Sequence, residues 1–288
     1  MQYNSFNNLP KIDKNDAINM LRKPISEVNN LADYYKAVFH LANFPCEESE
    51  IVLLDFIKYN HERLEYKIAK RKAIEVLANF DCKKAIPIIA NFLSNDDDYL
   101  VETSIWSLGK LKCKDIDIIN KICALLYHKC NYKRVVIQTL AYLGVRKEID
   151  KIRSLSTDKQ SSNGVKGACL TALIKLCGEE DKLSDLIGLL RLPNQNDRHC
   201  AIQDIINAGN LSVLPTLIKS PISPSLKLQA IESLWIDELE CWKNIKLINH
   251  LDLVIIDDPK NIQTLEIKKF KNDLNFLIDQ LFHTDFNR

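Results

Sequence analysis

Four short joints, Leu108-Gly109, Leu143-Gly144, Cys177-Gly178 and Ala208-Gly209, recur along the chain at intervals of 35, 34 and 31 residues. Upstream, Ala42-Asn43-Phe44 and Ala78-Asn79-Phe80 mark similar joints 36 residues apart. A recurrence of this length leaves little choice of architecture. Each unit holds one supersecondary motif, cannot bury its own apolar face, and must stack on its neighbours. Four of the seven glycines stand at these joints, where the end of a helix requires the left-handed conformation that glycine tolerates best.

Within a unit the pattern reads helix, short turn, helix. In the clearest one, Ala85 to Leu93 is an apolar first helix with Pro87 near its start, where a missing N–H is harmless. Asn95 to Asp98 forms the turn and supplies capping carboxylates. The second helix carries Val101, Ile105 and Leu108 as one buried stripe. The next unit repeats the plan with Ile118, Ile122 and Leu125, then Val136, Leu140 and Leu143. Six or seven such pairs fit between Asp16 and Asp237, which predicts an all-α fold, a HEAT/armadillo-like α-solenoid over residues 16–237. Residues 238–288, with Trp242, the run Leu251 to Ile256 and a breaker at Asp257-Asp258-Pro259, are expected to cap the last repeat.

Composition removes several classes. Seven glycines in 288 residues is about a third of ordinary usage, and no dinucleotide-binding, P-loop or nucleophile-elbow motif occurs. Lysine and arginine number 39 against 38 acids, a net charge of +1, so no long-range field steers the chain to nucleic acid. The asparagine-rich start resembles no signal peptide, and nine cysteines without a C-x-x-C pair predict reduced thiols in a cytosol, with neither disulfides nor zinc.

Stacked second helices line one face of a solenoid, its usual binding surface. Counting ten positions back from each joint glycine selects Tyr99, Arg134, Ala168 and His199 as equivalent positions. Tyr99, Glu102 and Trp106 then form an aromatic, acid, aromatic row, which reads either as a platform for a flat conjugated ligand or as packing of Trp106 between helices. Lys67, Arg71 and Glu75 share another face, with Lys70 and Lys72 beside them. This row reads either as a carboxylate clamp or as a solvated face. His61-Glu62 does not complete a zincin motif because position 65 is Glu. Cys123, Tyr127, His128 and Cys130 read as a surface turn beside a core thiol.

Several strings carry a resemblance. Asp33-Tyr34-Tyr35, the run His40 to Pro45 and the run Ala69 to Ala78 resemble the opening of the HEAT-repeat phycobilin lyases, the E/F-type clan of cyanobacteria. Asp97 to Glu102 with Trp106, Leu192 to Arg198, Gln203-Asp204, Ser220 to Pro224 and Leu281 to Phe286 resemble its phycoerythrin branch. The resemblance implies a lyase that adds a cysteine thiol of a phycoerythrin apo-subunit, expected to be the α subunit, to the ethylidene group of phycoerythrobilin. The bilin is then a substrate, and no cofactor or metal is implied. A second lyase-type or chaperone HEAT protein is a further expected partner. Arg71 and Arg134 are expected to hold propionates, Tyr99 and Trp106 to pack on the tetrapyrrole, and Glu102 to act on its pyrrole nitrogens. Asp197, Arg198 and His199 are expected at the far end of the groove, the first two in the register of Asp97 and Asp98. Isomerising relatives carry adjacent His and Cys; here the nearest string is His128-Lys129-Cys130, so attachment without isomerisation is expected. A noncatalytic chaperone of the same subunit and a generic HEAT scaffold remain alternatives.

Overall fold

The computed structural model describes residues 12–209 except Lys129, together with isolated positions between Val213 and Leu234. Every regular element among the described residues is helical. The chain divides into two compact units at Val145 and Arg146. The expected cap over 238–288 lies outside the described residues.

The first unit contains α1 (Lys14–Arg22), α2 (Ala32–Leu41), α3 (Glu47–Lys58), α4 (Leu64–Asn79), α5 (Ile86–Ala90), α6 (Asp98–Lys110), α7 (Ile116–Ala124) and α8 (Lys133–Tyr142). Each odd-numbered helix packs on the even-numbered one that follows it, and α2, α4, α6 and α8 lie side by side in sequence order. This is the stacked helix-pair plan that the repeat demanded. The stripe Val101, Ile105 and Leu108 is buried against it, as are Ile118, Ile122, Leu125, Val136 and Leu140. Asp97 caps α6, its carboxylate accepting from the backbone N–H groups of Tyr99 and Leu100 at 3.0 and 3.3 Å.

The predicted first helix over Ala85 to Leu93 is split into a 3-10 turn at Lys83–Ala85, a short α5, and a second 3-10 turn at Asn91–Ser94. Pro87 has no N–H to donate back to Lys83, and the tighter turns satisfy the flanking groups over a short span.

The joints hold a correction. Gly144, Gly178 and Gly209 adopt φ of 72°, 73° and 71°, the expected left-handed caps. Gly109 does not: it lies inside α6, and the left-handed residue is Lys112, with φ 51°. Asp81, with φ 57°, plays the same part after α4. At both positions, as at Gly144, the next N–H closes on a carbonyl five residues back: Cys82 to Leu77 at 3.0 Å, Cys113 to Leu108 at 3.0 Å and Val145 to Leu140 at 2.9 Å. Gly109 serves close approach instead, because a Cβ there would meet Thr139 Cγ2 of α8 at 3.0 Å. The repeat is therefore framed by Asp81, Lys112, Gly144, Gly178 and Gly209, at intervals of 31, 32, 34 and 31 residues.

The second unit contains α9 (Ile149–Thr157), α10 (Asn163–Cys177), α11 (Lys182–Gly188) and α12 (Gln195–Ala208). The α9–α10 and α11–α12 pairs stack through α10 and α12. At their crossing Thr171 Oγ1 donates to the Asp204 carbonyl at 3.0 Å, and Gly167 leaves room for the buried Asp204 carboxylate.

Candidate functional site

The corrected frame changes which residues are equivalent. Ten residues before the left-handed position stand Arg71 in α4, Glu102 in α6, Arg134 in α8, Ala168 in α10 and His199 in α12. Tyr99 leaves this row, because the left-handed residue after its helix, Lys112, stands three residues past the glycine used to count it. Asp197 and Arg198 likewise leave the register of Asp97 and Asp98. The counterpart of Asp97, fifteen residues before its joint, is Asn194, which caps α12 in the same way.

In the first unit these rows open onto a cavity of about 510 Å³. From α4 it is lined by Ile68, Arg71, Lys72 and Glu75, and from α6 by Tyr99, Glu102, Thr103 and Trp106. These are the same four register positions on both helices: 13, 10, 9 and 6 residues before the joint. Tyr35 of α2 and Val135 of α8 complete the wall. A volume of this order suits a ligand of several fused or linked rings.

The chemistry of the walls is divided. The Arg71 guanidinium lies over the Tyr99 ring, 5.1 Å from its centroid, while Nε donates to the Lys67 carbonyl at 3.3 Å. No described carboxylate pairs with it. Lys72 Nζ stands 3.0 Å from Glu75 Oε2. Glu102 is exposed on α6 and pairs with no described residue, yet the surrounding walls desolvate its carboxyl; that burial, and secondarily the Asp98 carboxylate, hold its pKa above the ordinary carboxylate value. Tyr99 and Trp106 present exposed aromatic surface at 66% and 39%. Both are large apolar groups that a helix would otherwise bury, and both face the cavity.

Of the basic row read from the sequence, only Arg71 and Lys72 line this space. Lys67 turns to Glu62, 2.9 Å away. Lys70 is buried; its Nζ donates to the Tyr59 carbonyl at 2.8 Å and to Asn60 Oδ1 at 2.6 Å, over the Phe92 ring. Burial lowers its pKa to about 8. Arg134 is partly exposed and adjoins the lining residue Val135 without lining the cavity itself.

The remaining sequence candidates belong to the second unit. Asp197 Oδ2 accepts from Asn163 Nδ2 at 2.8 Å. Arg198 Nη1 holds the Leu192 and Pro193 carbonyls, each at 2.7 Å, and so fastens the turn before α12. His199 is exposed. Ala168, in its row, is buried.

Half of the described thiols belong to the core. Cys82, Cys113, Cys123 and Cys169 are buried, and burial pushes the Cys169 thiol up to about 12. Cys130 Sγ points to the Leu125 carbonyl at 3.7 Å, with its thiol raised by burial. His61 Nδ1 accepts from the Arg63 N–H at 3.1 Å, a local turn contact. Among the described residues no group of three or more His, Cys, Asp or Glu could hold a metal, and no helix is long and apolar enough to cross a membrane.

Ile68, Thr103 and Val135 are not among the residues singled out in the sequence, and Tyr35 enters there only within the string Asp33-Tyr34-Tyr35 and not as a site residue. The signal that finds the first three is the repeat offset itself: Ile68 is the counterpart of Tyr99, and Thr103 and Val135 are counterparts of Lys72.

A chain of stacked helix pairs, with aromatic, cationic and acidic side chains at repeating offsets around a cavity on its second helices in the first unit, is an α-solenoid. No family profile matches the chain. It is 34% identical over 267 residues to bilin biosynthesis protein CpeY of Synechococcus sp. strain WH8020, covering 92% of this chain and 63% of that protein. It is 30% identical over 288 residues to the uncharacterized phycocyanin operon protein Y of Pseudanabaena tenuis strain PCC 7409, covering 99% and 67%. The chain thus spans about two thirds of the length of these relatives. The complex of CpcE and CpcF of phycocyanin lyase from Nostoc sp. PCC7120 shares the fold, with a TM-score of 0.69 over 95% of this chain and 99% of that one, at 19% identity. The chain belongs to the HEAT-repeat phycobilin lyase family.

Proposed function

We propose that the chain attaches phycoerythrobilin, without isomerising it, to a cysteine of a phycoerythrin subunit, with the α subunit as acceptor. The observation that supports this most is the cavity between α4 and α6. Arg71 and Lys72 provide cations for the propionates, Tyr99 and Trp106 flat surfaces for the conjugated rings, and Glu102 an acid with a raised pKa. Arg134, one helix further along the same row, is assigned to a propionate at the edge. Asp197, Arg198 and His199 belong to the second unit and are not among the residues that line this cavity.

The reaction is an addition. The acceptor's sulfur bonds to the ethylidene carbon, its proton ends on the ring carbon of the former double bond, and nothing is oxidised or lost. The nucleophile belongs to the acceptor, so this chain contributes positioning and electrostatics. A Glu102 carboxyl that keeps its proton above the ordinary range can pass it to the imine-type nitrogen of the bilin. The conjugated system is then cationic and more electrophilic, and the carboxylate left behind pairs with the new N–H. No cofactor enters this scheme.

The solved neighbour is a complex of two proteins, which favours a second reading: the chain works as one of two HEAT-type subunits and does not transfer alone. Co-expression with a phycoerythrobilin-producing system and single phycoerythrin subunits, with and without a second lyase-type chain, separates the two readings. Mass analysis of the bilin peptide is expected to show a thioether adduct on the α subunit. Unmodified subunit under every combination would refute the lyase reading and leave the chaperone.

A further inference from the structure

The two cations that α4 presents to the cavity are not equivalent. Arg71 has no carboxylate partner among the described residues, whereas Lys72 is held 3.0 Å from Glu75, one turn along the same helix. Glu75 occupies the register of Trp106, six residues before its joint, so its carboxylate belongs to the wall of the ligand space and not to an outer face. A ligand with two carboxylates needs two cations. Arg71 is open to the first, but the second must draw Lys72 away from Glu75, and doing so leaves an unpaired anion in the wall beside it.

We infer that Glu75 is the specificity-determining residue of this cavity: by holding Lys72 it leaves a single open cation, weakens the grip on the second carboxylate of an open-chain tetrapyrrole, and recaptures Lys72 as the pigment departs. The inference rests on the reading that a bilin occupies this cavity. Its physical sense is that of a transfer protein, since binding the cargo more tightly before and after transfer does not speed the step between.

The test uses the full chain and two probes, biliverdin, an open-chain tetrapyrrole with two propionates, and its dimethyl ester, which has the same rings and no carboxylates. Absorbance titration is expected to give Glu75→Gln a biliverdin Kd about fivefold below that of the unaltered protein, the scale of one partly exposed ion pair. Glu75→Ala is expected to behave alike, and the ester to bind all three chains equally. In a Lys72→Gln background the gain is expected to vanish. A gain that persists with the ester or without Lys72 would overturn the inference, because Glu75 would then act on the pigment by a route other than its hold on Lys72. Equal Kd values for Glu75→Gln and the unaltered chain, with Arg71→Ala still weakening biliverdin, would overturn the role of Glu75 and leave the cavity in place. Biliverdin binding indifferent to Arg71, Lys72 and Glu75 alike would overturn the cavity reading itself.

Discussion

The guanidinium of Arg71 lies over the ring of Tyr99, 5.1 Å from its centroid, and so joins α4 to α6 within the lining of the cavity. The contact holds a cation and an aromatic face at the two places a carboxylated, conjugated ligand needs them. Arg71→Ala is expected to weaken pigment binding by about 1.5–3 kcal/mol, the range of one charge-assisted bond. Arg71→Lys should recover only part of this, because an ammonium keeps the charge without the planar fork. Titration with free bilin measures both; unchanged affinity in Arg71→Ala would remove this residue from the site.

Glu102→Gln is expected to bind pigment with near-normal affinity and to transfer it slowly. Because burial raises the Glu102 pKa, the protonated form persists above the ordinary carboxylate range and is lost as pH rises through the raised value. Transfer by the unaltered protein should decline across that window, while the Gln variant shows no such limb. Stability has the same sign: the contribution of the protonated carboxyl is complete below its unfolded-state pKa and disappears as pH rises through the folded one. The difference in Tm between the unaltered protein and Glu102→Gln, followed against pH, should fall through the same window. A flat difference would place the carboxyl in ordinary solvent.

The joint frame is tested by two substitutions with opposite effects. Gly109→Ala drives a Cβ toward Thr139 and is expected to destabilise the chain by about 1–3 kcal/mol. Lys112→Gly relieves a left-handed non-glycine residue and is expected to stabilise it by about 1 kcal/mol. Urea unfolding of the full chain reads both. A neutral Gly109→Ala together with a destabilising Lys112→Gly would return the helix end to Gly109.

Thiol reactivity should follow burial and hydrogen bonding. Cys46 is partly exposed, and the Ser49 hydroxyl, 3.3 Å away, lowers its pKa. Cys177 is exposed. Alkylation of the native protein, mapped by mass spectrometry, should mark these two before Cys113, Cys123 or Cys169. Single Cys→Ser changes, Cys130→Ser included, should leave transfer intact in folded protein. Loss of transfer in a folded Cys130→Ser variant would mean that this chain carries the bilin covalently.

Several features of the protein are local, and the sequence alone determines them. The apolar stripe of α6, its aspartate cap and the repeated helix, turn, helix plan all follow from periodicity and capping chemistry, which neighbouring residues settle among themselves. The aromatic, acid, aromatic row and Arg71 were legible for the same reason, because residues three and four apart on a helix share a face. Tertiary packing decided the rest. Gly109 lies inside α6, where a Cβ would crowd Thr139 of α8, and the left-handed residue is Lys112; this shifts the register by three residues and puts Glu102 in place of Tyr99 in the row of Arg71. Likewise Lys70, Arg71 and Lys72 are consecutive, about 100° apart around α4, and periodicity sets only their relative angles. The absolute rotation of α4 against its neighbours buries Lys70 beneath the Phe92 ring and turns Arg71 and Lys72 into the cavity, because a helix settles its phase by burying its largest apolar area and not by where its charges stand.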